Sequence, residues 1–241
     1  MNKQKLIMEN WRRFLKESRA PVTEIDGKPI HMYYHSSSTP GFWIILYIVD
    51  EFRPGVPKTI VVGGVDVSEI SEPCIPKTLQ VEMIYRNSDY SGAGLGPLLY
   101  DLAFFVSQSM GYGLTSDREV GSKKSARERW SKIEKDSDFQ KQKTAAGNDA
   151  FDYDNSTPDP DDDCTKDDEM DTNATDHSFI KKDVDHIHDV LMELEANHMN
   201  RLDNLGRFMA KEGDAARKAY LAYLRRMASK LFQEEYDLAE D

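Results

Sequence analysis

The chain has little cysteine. Only Cys74 and Cys164 occur in its 241 residues, far apart and with no metal-ligand spacing around them. That excludes a disulfide framework and a cysteine-based zinc site, and it suits a reducing compartment or indifference to one. Long apolar runs are missing too. No stretch approaches the length of a membrane span, and the opening Met1-Asn2-Lys3-Gln4-Lys5 leads to no signal-peptide core, so the expected location is cytoplasmic. Positive charge is in deficit: 31 Lys and Arg stand against 43 Asp and Glu, a net charge of −12. Basic patches with interleaved aromatics are absent, which ranks direct nucleic-acid binding behind other readings. Two nucleotide motifs are absent as well. A P-loop needs Gly-Lys-Ser/Thr, but Gly96 is followed by Pro97; a dinucleotide fingerprint needs G-x-G-x-x-G, whereas Gly92, Gly94 and Gly96 run G-x-G-x-G.

What is present centres on Leu79–Ile133. Leu79, Val81, Met83 and Tyr85 alternate with Gln80, Glu82 and Ile84, the period of a strand with one face in a core. After the turn Tyr90-Ser91-Gly92-Ala93-Gly94-Leu95-Gly96-Pro97, the residues Leu98, Leu99, Leu102, Phe105, Val106 and Met110 recur at helical spacing. Proline is tolerated in a first helical turn, where its missing N–H would be unpaired anyway. The unit therefore reads strand, glycine turn, helix. Glycines let the backbone take positive φ and approach a ligand closely, and the open N–H groups of a helix start favour an anion such as a phosphate or pyrophosphate.

The remainder of the chain divides by composition. Residues 1–18 hold a short amphipathic helix over 3–17, with Ile7, Trp11 and Leu15 on one stripe. Residues 19–133 begin with a hairpin, Val22–Ile25 and Ile30–His35 about Asp26-Gly27, followed by strands Phe42–Val49 and Thr59–Val67. His31 and His35, with no third ligand visible, read as structural. Residues 134–177 form an acidic flexible linker. Between Asp149 and Asp176 twelve acidic residues face one lysine, a net −11 that nearly accounts for the whole chain's charge. Such a stretch buries too little apolar surface to offset the entropy of ordering it. Asp152-Tyr153-Asp154 lacks the glycine and closing glutamate of a calcium loop, so no metal is expected. In residues 178–241, Ile180, Val184, Ile187, Leu191, Leu194, His198, Leu202, Leu205 and Met209 step by threes and fours, and Tyr220, Leu224, Met227 and Leu231 repeat the pattern after Gly213-Asp214. Two helices joined by so short a turn form an antiparallel hairpin, with His198 buried and hydrogen-bonded in its apolar stripe.

The run "YSGAGLGPLLYDLAFF…GYGLTSDREVGSKKSARERWSKI" resembles the GNAT superfamily of N-acetyltransferases, whose coenzyme A signature is Q/R-x-x-G-x-G/A between a strand and a helix. Ser91-Gly92-Ala93-Gly94-Leu95-Gly96 matches it at Gly94 and Gly96, and the likeness continues through Tyr112–Ser116, Asp117-Arg118 and a helix Ser122–Ile133. It is similar in particular to GNAT-like proteins of tailed bacteriophages. The opening "LIMENWRRFLKE" resembles the first residues of many tailed-phage proteins, some of which are cut behind such a segment.

The resemblance implies a mixed α/β (α+β) fold: a mainly antiparallel sheet flanked by helices, with the acidic segment and the C-terminal hairpin appended. It implies that Ser91, Gly92, Ala93, Gly94, Leu95 and Gly96 hold acetyl-CoA, or another acyl-CoA, with the pantetheine arm between the splayed strands Leu79–Tyr85 and Tyr112–Ser116. Glu82 falls where the family often places a general base, and Lys123 and Lys124 could meet the adenosine phosphate. The sequence departs from the pattern at Ser91, usually Gln or Arg, and at Trp130, where many members carry the tyrosine that protonates the leaving thiolate. Indole N–H does not titrate in water and cannot be that acid.

Two functions follow. One is acyl-CoA-dependent N-acyl transfer to an amine, the acidic segment steering a cationic acceptor. The other is a GNAT-like scaffold without turnover. Its acidic segment would bind a basic protein and its helical hairpin another subunit, in the host cytoplasm or on a virion.

Overall fold

The computed structural model describes residues 22–36, 40–53, 56–69, 77–116, 124–142, 178–208 and 213–237. The helix expected over 3–17, the residues Asp117, Arg118 and Lys123, and the acidic stretch 143–177 lie outside them.

Strands β1 (Glu24–Ile25) and β2 (Lys28–Pro29) pair across Asp26 and Gly27, both at positive φ, 52° and 69°. Positive φ at both central residues gives a turn whose twist matches the strands beside it. Next comes an antiparallel meander of β3 (His31–Ser36), β4 (Phe42–Arg53), β5 (Val56–Glu69) and β6 (Thr78–Arg86). In β4, Ile44, Ile45, Leu46, Tyr47 and Ile48 are all buried. Such a run, rather than an alternation, marks a strand covered on both faces. Ile44, Leu46 and Ile48 join the larger core cluster, while Ile45 and Tyr47 join a smaller one.

From β6 the chain passes through a 3-10 turn (Ser88–Tyr90) into α1 (Leu95–Ser109) and returns as β7 (Gly113–Ser116), parallel to β6. Parallel neighbours need such a crossover, and α1 supplies it. Leu98, Leu99, Leu102 and Val106 press its apolar face into the larger core. The approach is close: a Cβ on Gly63 would lie 3.1 Å from Leu99 Cδ1. Helix α2 (Lys124–Lys135) follows, its Trp130 and Ile133 in the same core. The seven-stranded sheet runs β3-β4-β5-β6-β7-β9-β8, mainly antiparallel and flanked by helices, the mixed α/β arrangement expected from the sequence.

Two elements correct the boundaries read from sequence. Phe139–Gln142 is a strand, β8, inside the stretch read as linker from Glu134, and Ser178–Lys181 is its partner β9, where the helical pattern was taken to begin. Gln142 pairs with Ser178, so the chain leaves and re-enters the sheet at one place, and the acidic stretch is an excursion between paired strands. Aromatic packing anchors this edge. Phe139 lies 5.0 Å from Phe104 and Phe179 lies 6.0 Å from Trp130, ring centre to ring centre.

Helix α3 (Asp185–Phe208) places Ile187, Val190 and Leu194 in the larger core. Farther along, its His198 touches Tyr33 and Tyr47 of the smaller cluster, so the helix spans the β3 edge of the sheet. Edge strands present unpaired backbone groups, and covering them prevents pairing with another chain. Helix α4 (Gly213–Asp237) packs against α3 and sends Leu224 and Phe232 into the smaller cluster.

Candidate functional site

A bulge in β6 organises the site. Asp66 pairs with Met83 but Val67 pairs with Val81, which leaves Glu82 as the extra residue on its strand. A bulge turns the following side chains over. Leu79, Val81 and Ile84 therefore face the larger core, while Met83 faces the smaller one with Phe232. The single apolar face expected through Leu79, Val81, Met83 and Tyr85 is thus broken at Met83, because the alternation holds only while the register does. Beside the bulge the parallel pairing ends. β7 pairs with Thr78–Val81 only, so β6 and β7 are joined along four residues and β6 continues past them.

Glu82, expected as a general base, is half-buried with its Oε1 engaged. Ser68 Oγ donates to it, and so does Gln80 Nε2 at 2.7 Å. Across the strand pair lies Asp66, which sequence reasoning did not single out. Burial pushes the Asp66 carboxyl up to about 7, and the neighbouring charge of Glu82 adds to this; hydrogen bonds from the Trp43 side chain and the Val67 backbone pull the other way. A signal existed: Asp66 is the one charged residue in Ile60–Val67, an otherwise apolar run. A half-buried carboxyl that titrates near neutrality suits proton transfer.

The glycine turn is held to β5 by Asn87. Its backbone N–H donates to Val62 O at 3.1 Å, its Nδ2 donates to Val61 O at 3.1 Å, and its Oδ1 accepts from Asp89 N at 3.0 Å. Gly92 (φ 88°) and Gly94 (φ 78°) adopt the left-handed conformation that other residues resist, and Gly94 caps α1. Two of the expected donors are already committed. Ser91 N donates to Ser88 O and Ala93 N to Tyr90 O. Among the described residues, the amides of Gly92, Gly94, Leu95 and Gly96 meet no acceptor. Leu95 is buried, whereas Gly92 and Gly94 are exposed. Pro97, the third helical residue, brings no donor.

Cations gather at this helix start. The Arg86 side chain lies against Gly96, its Cδ 3.3 Å and Nη1 3.4 Å from where a Cβ would stand. A guanidinium beside a helix N-terminus is unfavourable unless an anion lies between them. Arg129 sits over the ring of Tyr100, 5.5 Å from its centre, with its Nε buried and without a partner. Burial pushes the Tyr100 hydroxyl up to about 12 while Arg129 and Arg86 oppose that rise, so both guanidiniums act at one place on α1. Neither arginine was singled out from sequence, where each is one charge among many. The lysine expected at the adenosine phosphate, Lys124, is exposed at the start of α2.

Trp130 is a core residue. It is 3% exposed, edge-on to Tyr100 at 5.6 Å and against Phe104 at 6.2 Å. His198 is half-buried, its Nδ1 2.7 Å from Tyr47 Oη. Among the described residues no group of three His, Cys, Asp or Glu could hold a metal, and no helix is long and apolar enough to cross a membrane.

No protein-family model and no curated protein matches the chain. Among solved structures it is similar to an IAA acetyltransferase from Bacillus cereus, at 19% identity and a TM-score of 0.29. That match covers 42% of this chain and 57% of the other, so the chain spans little more than half the neighbour's length.

Proposed function

We propose that the chain is an acyl-CoA-dependent N-acyltransferase acting on an amine, with acetyl-CoA as the donor. The observation that carries this reading is the turn itself: among the described residues the amides of Gly92, Gly94, Leu95 and Gly96 meet no acceptor, Gly92 and Gly94 are exposed, and the Arg86 guanidinium lies alongside. Open amides at a helix start, a positive dipole end and an arginine suit a pyrophosphate. Bound there, a CoA thioester would supply an activated acyl group. The orphaned Nε of Arg129 is a further donor for the nucleotide end.

Asp66, rather than Glu82, takes the proton of the acceptor amine. Its carboxyl titrates near neutrality, whereas Glu82 Oε1 is occupied by Ser68 and Gln80. Glu82 keeps the pair anionic, which attracts a cationic amine and holds it for deprotonation. A second reading, binding without turnover, is favoured by Trp130, a core side chain at the α2 position where the resemblance implies an acid for the departing thiolate. In that reading the C-terminal helices and the acidic excursion serve protein contacts, with a basic partner or on a virion.

Calorimetric titration with acetyl-CoA tests the proposal. Micromolar binding should be lost in Gly96→Glu, which places a carboxylate where the pyrophosphate would lie. That variant should fold, because the new Cβ meets only the flexible end of Arg86, and an acid in the first turn of a helix stabilises it by about 0.3–1 kcal/mol. No heat at millimolar acetyl-CoA refutes the donor site. Binding without acetyl transfer to any amine in a screen, polyamines and basic peptides included, favours the second reading.

A further inference from the structure

We infer that the C-terminal helices α3 and α4 are held on the sheet by a chain of hydroxyls and imidazoles that lets go on acidification, making them an acid-opened cover over the face carrying Asp66 and Glu82. The chain crosses four elements. Thr59 Oγ1 on β5 lies 3.1 Å from Tyr220 Oη on α4, Tyr220 hydrogen-bonds Tyr47 on β4, and Tyr47 Oη lies 2.7 Å from His198 Nδ1 on α3. His31 on β3 stacks on Tyr47 with ring centres 5.0 Å apart and hydrogen-bonds the backbone of Asn197, whose own Nδ2 donates to Ile30 O at 2.9 Å. What the helices cover is defined by Phe232. It packs against Trp43 at 5.9 Å, and Trp43 is the side chain that hydrogen-bonds Asp66.

His31 has no place for a second proton: its Nδ1 is buried and meets no partner among the described residues, so an N–H there would be an unsatisfied buried donor. The charged groups that act on the imidazoles of this face are all cationic: Arg201 of α3 on His31, His31 on His198, and Arg225 of α4 on His35. Arg201 also sits over Tyr220 at 5.8 Å. A proton taken up here therefore adds charge among charges of the same sign.

The direction follows. Burial, with His31 adding to it, pushes His198 down to about 4, and burial lowers His31 and His35. A histidine lowered in the docked state binds fewer protons there than when released, so docking is strongest above about 6.5 and weakens as pH falls toward 4. Each such proton changes the docking equilibrium by up to about tenfold per pH unit. Asp66, raised by burial beneath the same cover, has the opposite sign: uncovering it releases its proton, so it strengthens docking as pH falls and offsets up to one of the histidine protons. Asp66→Asn removes that offset and should steepen the acid response of the helices.

Hydrogen exchange of the full chain, read by mass spectrometry at pH 7.5, 6 and 5 and corrected for intrinsic rates, tests this. Protection across residues 197–202 and 218–232 should fall by up to about tenfold per unit below pH 6.5 while β4, β5 and α1 keep theirs. The fall should vanish in His31→Gln/His198→Asn, whose amides keep the hydrogen-bonding positions without titrating. If that pair does not fold, His198→Asn alone should reduce the fall. Equal loss in sheet and helices, unchanged helix protection, or the same fall in the variants overturns the inference.

Discussion

Replacing Asp66 by Asn should stabilise the protein at pH 8 and do so by less than half as much at pH 5. In the fold the Asp66 carboxyl titrates at about 7, against 3.8 for a free aspartate, because burial and Glu82 disfavour its charge. A carboxyl whose folded pKa lies above its unfolded value binds more protons when folded, so stability falls as pH rises through that interval and levels off above it. At about 1.4 kcal/mol per pKa unit, the roughly three-unit rise sets a limit of about 4 kcal/mol, and residual solvent access brings the expected loss to about 2 kcal/mol. Asparagine mimics the protonated acid. Its Oδ1 accepts from Trp43 and Val67, and its Nδ2 faces Glu82, without a charge to bury. Urea unfolding of both proteins from pH 5 to 9 should show wild type losing about 1 kcal/mol that the variant keeps, the remainder of the loss lying below pH 5. Parallel pH profiles, or a variant less stable at pH 8 than wild type, would refute the reasoning about Asp66.

Arg86→Ala should weaken acetyl-CoA binding about tenfold and flatten its salt dependence, as expected for one lost charged contact of about 1.5 kcal/mol; titration at two ionic strengths checks it. Trp130→Ala should destabilise by about 3–5 kcal/mol, because a fully enclosed ring among Tyr100, Phe104 and Phe179 is removed, and thermal unfolding reads this directly. Tyr47→Phe, which deletes only the hydroxyl between His198 and Tyr220, should cost about 1–3 kcal/mol, seen in unfolding and as faster exchange in α3.

The strand, glycine turn and helix from Leu79 to Met110 could be read from the chain because each part is written locally. Alternation marks β6, glycines at positive φ mark the turn, and three-and-four spacing marks α1. The Asp26-Gly27 hairpin is local in the same way. Even within this legible stretch the sequence does not say which amides the turn spends on itself. Ser91 and Ala93 look like donors equal to Gly92 and Gly94 until the 3-10 turn closes their hydrogen bonds.

Composition and short-range pattern thus determined the strand, turn and helix of this stretch and the absence of long apolar runs, and marked the glycine turn as a candidate anion site. Pairing across the sequence was decided only by the tertiary structure. A strand of four residues such as Phe139–Gln142 has too little pattern to be seen, and becomes a strand because Ser178–Lys181 arrives beside it. The bulge at Glu82 depends on the register with β5, and Asp66 acquires its chemistry from burial, from the Glu82 charge and from hydrogen bonds of Trp43 and Val67. His198 was legible as a buried histidine, but its partner Tyr47 stands 151 positions away. Desolvation and hydrogen bonding act through space, so the protonation behaviour of Asp66 and His198 exists only once the strands and helices have met.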